Sequence, residues 1–345
     1  MKVRDIGMIV GKGSPGRKNC ITDVADVQVG HVTLDEVINE EQGTYACTGV
    51  TAILPHSGNV FREKVIAASY VMNGFGKTTG LVQINELGLL ESPIMLTNTF
   101  GVPAVTQGTL QYMLTQNREI GETTGTINIV VGECNDSFLN SIREMPVQPQ
   151  HAIESIETAS NEKVQEGAIG AGKGMVCFGY KGGIGTSSRL VEFEDCCTYT
   201  VGCLVLSNFG KKEELTYARN IAALQGGLSE TRDGSIIIVL ATDAPLSDRQ
   251  LQRVAKRCGI GLGRTGSHFS HGSGDIVIAF STAQKIQHNE QSHKEMRWQV
   301  RDDHPMMNQL FVSAAEATEE AILNSLSQAT ETKGRNGHFV RAYQF

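Results

Sequence analysis

A glycine–serine step in the last third of the chain could carry nucleophilic chemistry. Gly234 and Ser235 follow Asp233, and Ser235 is the first residue of the apolar segment SIIIVLATD at 235–243. A serine hydroxyl in this position can attack the carbonyl of the preceding residue, and hydrolysis of the resulting ester leaves serine as a new N-terminus. Glycine before the serine favours the attack because it adopts strained backbone angles and crowds the hydroxyl least. The same three residues are also typical of an ordinary turn.

A serine released in this way would hold both a nucleophile and a base. The reference pKa of an α-amine is about 7.7 to 8.0, so part of it is unprotonated at neutral pH and can accept the hydroxyl proton. Such a mechanism suits a hydrolase sequence that has no convincing GxSxG nucleophile elbow and no Cys/His pair. Composition and spacing permit this chemistry without selecting it over a plain turn.

Three glycine-rich stretches imitate nucleotide-binding loops, and each departs from the motif. The GxGxxG at 261–266 follows a predicted helix instead of a strand. The GxxxxGK at 167–173 is followed by glycine where Ser or Thr would hold magnesium, and the GKT at 76–78 lacks its first glycine. We expect loops at all three, while nucleotide binding through Lys173 or Lys77 remains an alternative.

A metal site is weakly indicated. His268 and His271 form an HxxH with Asp275 nearby, but the sequence has no HExxH helix. The eight cysteines have no zinc-finger spacing, and buried reduced thiols are their simplest interpretation in a cytosolic chain. We therefore expect no bound metal.

The elements that must position these residues alternate between apolar strands and amphipathic helices. Strand-like runs occur at 49–56, 126–133, 198–208, 235–243 and 275–282. Helical patterns occur at 61–73, 103–116, 212–225, 247–259 and 307–328, with Ser247 as an N-cap and Gly259 as a C-cap. The strand runs are nearly continuously apolar, which predicts a layered α/β domain with both faces of its strands covered.

Composition excludes several classes of protein. The 30 basic and 37 acidic residues give a net charge of −7, and no basic tract suggests nucleic-acid binding. No apolar run approaches the length that crosses a bilayer, and the N-terminus lacks the apolar segment of a secretory signal, so a cytoplasmic protein is expected. No linker or repeat divides the 345 residues, which predicts a single domain.

Ordered sequence blocks along most of the chain carry a family resemblance. They are NCITDVADVQVGHVTL (19–34), GVTAILPH (49–56), NGFGKTTG (73–80), PIMLTNTFGV (93–102), VVGECND (130–136), KGGIGTSSR (181–189), VGCLVLSNFG (201–210), DGSIIIVLATDAPL (233–246) and RTGSHFSHGSGDIVIAFST (264–282). The chain resembles the self-processing L-aminopeptidase/D-Ala-esterase/amidase and β-peptidyl aminopeptidase family, relatives in fold of ornithine acetyltransferase. Lys77 departs from it, because the family commonly carries an acidic residue there.

The resemblance implies a nucleophile and an oxyanion donor. Ser235 matches the nucleophile that is freed by cleavage after Gly234, which would divide the chain into 1–234 and 235–345. Asn208 matches the residue whose side-chain amide helps to form the oxyanion hole, where one donor is typically worth about 2.7 to 4 kcal/mol. The step Gly185–Thr186 is a second possible cleavage site, but the resemblance favours Gly234–Ser235 and leaves 181–189 as a glycine-rich loop that shapes the pocket.

The resemblance also implies three supporting polar residues. Glu133 matches the carboxylate that receives the free amino group of the substrate through a charge-assisted hydrogen bond. Ser273 and Asp275 match a serine and an acidic residue beside the amine of the nucleophile, where they would orient it and favour its productive protonation. The family can have glutamate at the position of Asp275.

Fold and function follow from the same resemblance. It implies a four-layer α/β/β/α sandwich of the N-terminal-nucleophile type, assembled as a homotetramer, with no metal or organic cofactor. The expected activity is release of N-terminal residues from short peptides, amino-acid amides or esters through an acyl-enzyme on Ser235. Beside the nucleotide-binding alternative, two others remain, which are an acyltransferase of related fold and a catalytically silent binding protein that is never cleaved.

Overall fold

The computed structural model of the chain describes residues 1–193, 198–218, 234–289 and 292–345. Its strands are β1 (Gln28–Asn39), β2 (Thr44–Leu54), β3 (Glu63–Gly74), β4 (Leu89–Leu90), β5 (Ile94–Asn98), β6 (Val130–Cys134), β7 (Val176–Cys177), β8 (Tyr180–Lys181), β9 (Gly183–Glu192), β10 (Thr198–Asn208), β11 (Ser235–Thr242), β12 (Gly274–Gln287), β13 (Thr332–Lys333) and β14 (Phe339–Val340). Its α-helices are α1 (Leu81–Leu87), α2 (Val102–Gln116), α3 (Pro149–Glu157), α4 (Asp248–Ala255), α5 (Cys258–Thr265) and α6 (Met306–Ser327).

The longer strands form two sheets within the described ranges. One has the order β1-β2-β5-β6, and the other has the order β4-β3-β12-β11-β10-β9. Strands β5 and β6 are parallel neighbours, and so are β11 and β12. Parallel neighbours require a crossover connection, which α2 supplies for the first pair and α4 and α5 supply for the second.

The two sheets pack face to face, and helices cover their outer faces. Side chains such as Leu96, Val130, Leu204 and Ile237 form the core between the sheets. Helices α2 and α3 cover the smaller sheet, whereas α4, α5 and α6 lie on the larger one. Strand β11 is buried at every position, as expected for a strand covered on both sides. The predicted α/β/β/α arrangement is therefore confirmed.

Most predicted elements match those of the structure. The runs at 198–208 and 235–243 correspond to β10 and β11, and the helical patterns at 103–116 and 307–328 correspond to α2 and α6. Ser247 caps α4 by accepting a hydrogen bond from the backbone N–H of Gln250. Gly259 is not a C-cap, because α4 ends at Ala255 and Gly259 lies inside α5.

The helix predicted at 61–73 is wrong, since these residues form β3. Their arginine, glutamate, lysine, alanine and methionine residues suit a helix by propensity, but the chain here is hydrogen-bonded between β4 and β12. Residues Lys64–Ser69 are all buried, so no polar face remains for an amphipathic helix. Tertiary pairing overrides local propensity in this segment.

Two segments expected as loops are regular elements, and glycine explains both. Residues 183–189 of the pocket loop expected at 181–189 lie in β9, where a Cβ at Gly185 would lie 1.9 Å from the carbonyl oxygen of Ala321 on α6. The GxGxxG segment lies largely in α5, where a Cβ at Gly261 would lie 2.2 Å from the carbonyl oxygen of Ala315. These glycines allow close backbone packing against α6 and do not form a phosphate loop.

Two other predictions are only partly met. The strand expected at 126–133 begins at Val130 and ends at Cys134. In the helical pattern at 212–225, Lys212–Glu214 and Thr216–Ala218 are short 3₁₀ turns, and 219–225 lie outside the described residues.

Candidate active site

The ends of three neighbouring strands meet at Ser235. This serine is the first residue of β11, and it pairs with Asn208, the last residue of β10. On its other side it pairs with Gly274, the first residue of β12. Gly274 in turn pairs with Gly74, where β3 ends. The fold therefore brings Asn208, Ser235 and the 273–275 segment together at one edge of the larger sheet.

Hydrogen bonds hold Ser235 beside a serine–aspartate pair. The backbone N–H of Gly274 donates to Ser235 Oγ at 3.1 Å. The neighbouring Ser273 hydroxyl donates to Asp275 Oδ1 at 2.5 Å, and Asp275 Oδ2 is buried with no hydrogen-bond partner among the described residues. Burial raises the pKa of Asp275 to about 6. This carboxyl group therefore changes charge in a mildly acidic range, next to the predicted nucleophile.

Gly234 occupies a position that has no room for a side chain. A Cβ there would lie 2.3 Å from the carbonyl oxygen of Asn208 and 2.4 Å from Cα of Phe209. The backbone before Ser235 is thus packed directly against the end of β10. Asp233, the preceding residue of the predicted junction, lies outside the described residues.

The side-chain amide of Asn208 is held at both ends. Its Oδ1 accepts the backbone N–H of Val176 at 2.9 Å, and its Nδ2 donates to the backbone carbonyl of Asn135 at 3.0 Å. A primary amide has two N–H donors, so one remains for a further acceptor. Because Asn208 lies directly opposite Ser235 in the strand register, a substrate oxygen is the acceptor that this position suits.

Glu133 comes from the other sheet and is buried above this edge. It lies on β6. The preceding residue, Gly132, lets the two sheets approach closely because it has no side chain; a Cβ there would lie 3.0 Å from Ile237 on β11. The Glu133 carboxylate accepts the backbone N–H of Lys77 at 2.9 Å and the hydroxyl of Thr99. These two bonds fix the carboxylate and leave lone pairs for a cationic group.

Several supporting groups were not predicted from the sequence. Thr99 and the Lys77 N–H orient Glu133, while Val176 and Asn135 orient Asn208. Three of the four contacts use backbone atoms, which leave no signal in residue type. Lys77, Thr99 and Asn135 lie in blocks that carry the family resemblance, and membership of those blocks was the available sequence signal.

The other candidate motifs do not assemble into a site. Lys173 forms an ion pair with Asp35, and the Lys77 ammonium lies over the ring of Phe75. His268 and His271 are exposed, and the described residues contain no group of three His, Cys, Asp or Glu side chains arranged to hold a metal ion. No helix among those residues is both long and apolar enough to cross a membrane. Gly185 lies inside β9, packed against α6.

Comparison with known sequences identifies one family. The sequence model of Peptidase family S58 matches residues 19–340. Among curated relatives, the chain is 38% identical to the β-peptidyl aminopeptidase BapA of Sphingosinicella microcystinivorans, an alignment that covers 99% of this chain and 89% of that protein.

Solved structures give the same result for the fold. The PH0078 protein from Pyrococcus horikoshii OT3 superposes with a TM-score of 0.92 at 48% identity, covering 99% of this chain and 96% of the other. The L-aminopeptidase D-Ala-esterase/amidase from Ochrobactrum anthropi superposes with a TM-score of 0.91 at 34% identity, covering 99% and 95%. The latter is described as a prototype of the serine aminopeptidases and a variant of the Ntn hydrolase fold. The predicted fold type is confirmed.

Proposed function

Because this chain belongs to peptidase family S58, we propose that it is a self-processing serine aminopeptidase that uses Ser235 as its N-terminal nucleophile. One observation carries the proposal. Ser235 begins a buried strand directly opposite Asn208, with Gly274 on its other side. A nucleophile, an amide donor and the Ser273–Asp275 pair thereby share one strand edge. The resemblance of this sequence to the family assigns matching roles to the same residues.

Processing would begin with attack of Ser235 Oγ on the carbonyl carbon of Gly234. The peptide C–N bond breaks, the Ser235 nitrogen takes up the proton lost from the hydroxyl, and an ester joins Gly234 to Ser235 Oγ. Water then hydrolyses the ester, leaving a carboxylate on Gly234 and a free α-amine on Ser235. The hydrogen bond from Gly274 to Ser235 Oγ and the absence of space at Gly234 support this step, because both restrict the geometry of the junction.

Hydrolysis of a substrate would reuse the same groups. The free α-amine of Ser235 takes the hydroxyl proton as Oγ attacks the substrate carbonyl, and the amide N–H of Asn208 donates to the developing oxyanion. The leaving amine takes the proton, and water releases the acyl group in a second step. Ionised Asp275 accepts the Ser273 hydroxyl and so orients the polar groups beside the amine. Every step uses the chain's own groups and water.

Glu133 would make the enzyme an aminopeptidase. A buried carboxylate held by Lys77 N–H and the Thr99 hydroxyl is already in place for a charge-assisted hydrogen bond to a substrate ammonium. A substrate with a blocked or missing amine would leave that charge without its cation. Short peptides, amino-acid amides and esters with a free amino group are therefore the proposed substrates.

We extend the proposal to assembly and location. The family resemblance supports a homotetramer, and the described cysteines, which are buried free thiols, suit an enzyme of the reducing cytoplasm. Cleavage after Gly234 would give segments 1–234 and 235–345 that remain packed as one domain. Strand pairing of β11 with β10 supports this, because the two strands belong to different segments.

Trapping the acyl-enzyme tests the proposed nucleophile. We expect a slowly hydrolysed aminoacyl ester to increase the mass of segment 235–345 by one acyl group, with the modification on Ser235. Ser235→Ala should show neither the adduct nor amide hydrolysis. An adduct on another residue, or a Ser235→Ala protein with wild-type activity, would refute the assignment. Added amine acceptors distinguish hydrolysis from the alternative activity, since an acyltransferase would form more acyl-amine product than free acid.

A further inference from the structure

A buried lysine lies in the turn that contacts Asn208. Lys181, on β8, is fully buried, and its ammonium donates to the backbone carbonyls of Gly172, Met175 and Gly182 at 2.9, 2.7 and 2.8 Å. An ammonium has three donors, so these carbonyls use all of them. The lysine therefore ties together the chain at 172–182, which we call the lysine-tied turn.

The lysine-tied turn holds the end of β10 through two backbone donors. Val176 follows the bonded Met175 and donates its N–H to Asn208 Oδ1 at 2.9 Å. Two residues later, Phe178 donates its N–H to the carbonyl of Phe209 at 2.6 Å. The position of the Val176 N–H, and hence the orientation of the Asn208 amide, depends on a turn that Lys181 holds in shape.

The burial of this lysine is costly for folding. Burial lowers the pKa of Lys181 to about 7, which shows that the surroundings disfavour its charge. Backbone carbonyls, and not a carboxylate, accept its hydrogen bonds. A methionine of similar length would fill the space without desolvating a charge. A buried polar group that lowers the stability of the fold and lies beside a functional site is typical of residues that contribute to function.

We propose that Lys181 is a positioning residue for catalysis, which acts by fixing the Val176 N–H and thereby the amide of Asn208. The inference rests on the proposed function, in which Asn208 donates to the oxyanion. An oxyanion donor acts only when it is directed at the developing charge, and a displacement near 1 Å can cost about 100-fold in rate. Loss of Lys181 should therefore lower kcat and leave substrate binding through Glu133 intact.

The test compares Lys181→Met with Lys64→Met. Lys64 is also buried and donates to the backbone carbonyl of Phe61, and unlike Lys181 it forms an ion pair with a carboxylate, that of Glu91, at 3.2 Å. It lies near the opposite end of β3 from Gly74. The processed enzymes are assayed on an aminoacyl p-nitroanilide, with kcat expressed per cleaved chain. We expect Lys181→Met to lower kcat about 10- to 100-fold with KM changed less than about twofold. Lys64→Met should keep the wild-type kcat.

A double-mutant cycle separates positioning from general destabilisation. In the Asn208→Ala background, Lys181→Met should change kcat by less than about twofold, because the amide that it positions is already gone. An equal loss of kcat in both backgrounds would overturn the proposal, and so would a wild-type kcat for Lys181→Met.

Failure of the inference is distinguishable from failure of the proposed function. If Asn208→Ala keeps the wild-type kcat, the oxyanion role itself is wrong. If Asn208→Ala is slow and Lys181→Met is not, only the positioning role is wrong.

A second variant covers the case in which Lys181→Met does not fold. Val176→Pro deletes the N–H that Asn208 accepts and leaves the lysine in place. Val176→Pro should lower kcat as much as Lys181→Met is expected to, and this loss should disappear in the Asn208→Ala background. A wild-type kcat for Val176→Pro would overturn the proposal.

Discussion

Glu133→Gln removes the charge that the proposed enzyme uses to select free amino groups while keeping the shape of the side chain. In the wild type the carboxylate accepts the backbone N–H of Lys77 and the hydroxyl of Thr99. A glutamine fits the same partners, since its oxygen accepts from Lys77 and the Thr99 hydroxyl can turn to accept from its NH₂ group. We therefore expect the variant to fold and to be processed like the wild type.

The size of the effect follows from the loss of one charged hydrogen bond. Such a bond contributes about 1.5 to 3 kcal/mol, against about 0.5 to 1.5 kcal/mol for a neutral one. At about 1.4 kcal/mol per factor of ten, complete loss corresponds to a decrease of about 10- to 150-fold in kcat/KM. Glu133 is only 3% exposed, so solvent screens the charge weakly and the upper part of this range is expected.

The assay compares an aminoacyl p-nitroanilide with its desamino analogue, which lacks the amino group. Glu133→Gln should lower kcat/KM for the first substrate without lowering kcat/KM for the second. The desamino analogue never makes the bond, and in the wild type it leaves the buried charge unpaired, so its kcat/KM should stay level or rise. Glu122→Gln, which removes an exposed carboxylate, is the control and should behave like the wild type. An unchanged kcat/KM for the amine substrate, or an equal decrease for both substrates, would refute the role of Glu133.

Three further variants test the processing junction, a titrating group and the core. Gly234→Ala should slow self-cleavage at least 10-fold in a time course of intact mass, because its Cβ would overlap the backbone at Asn208. The control Gly263→Ala, whose Cβ meets nothing within 4 Å, should cleave normally, and equal cleavage rates for the two variants would contradict the prediction. Asp275 has its pKa raised to about 6, so its contribution to stability is present below pH 4 and is lost as the pH rises through 6. Urea unfolding in the uncleaved Ser235→Ala background should show a decrease in the free energy of unfolding over that range that is about 2 to 3 kcal/mol smaller in Asp275→Asn. The remaining decrease comes from other buried carboxyls such as Asp136, whose burial raises its pKa to about 7, and an equal decrease with and without Asp275→Asn contradicts the assignment. Arg189→Met should lower the free energy of unfolding by about 3 to 5 kcal/mol, because it leaves buried Glu316 without a cation and Glu320 with Arg4 alone, and a loss below about 1 kcal/mol would contradict this.

The fold could be predicted from sequence where residue pattern and tertiary environment agree. Strands β10 and β11 are long apolar runs between turn residues, and they were predicted almost to the residue. The helix predicted in the segment of β3 is wrong because helix-forming residues flank an apolar run, 65–68, that is too short for periodicity to distinguish a strand from a helix. Glycines in β9 and α5 favour loops by residue type, although they serve close packing against α6. That packing is a long-range contact that a local pattern does not record.

The residues of the candidate site could also be predicted only in part. Ser235, Asn208, Glu133, Ser273 and Asp275 were identified by family resemblance, and the fold brings four of them to one strand edge with Glu133 from the facing sheet. Residue types and spacing alone do not distinguish the Gly234–Ser235 step from an ordinary turn. The backbone donors of Lys77 and Val176 and the buried Lys181 could not be predicted, since their roles arise from contacts between segments distant in sequence.

Self-cleavage between Gly234 and Ser235 is the central claim, and the intact denatured mass of freshly purified protein tests it most directly. The proposal predicts two species of 234 and 345 − 234 = 111 residues, the smaller beginning Ser-Ile-Ile-Ile on N-terminal sequencing, and a single uncut chain for Ser235→Ala. A wild-type preparation that hydrolyses aminoacyl amides while it remains one chain of 345 residues would contradict the account.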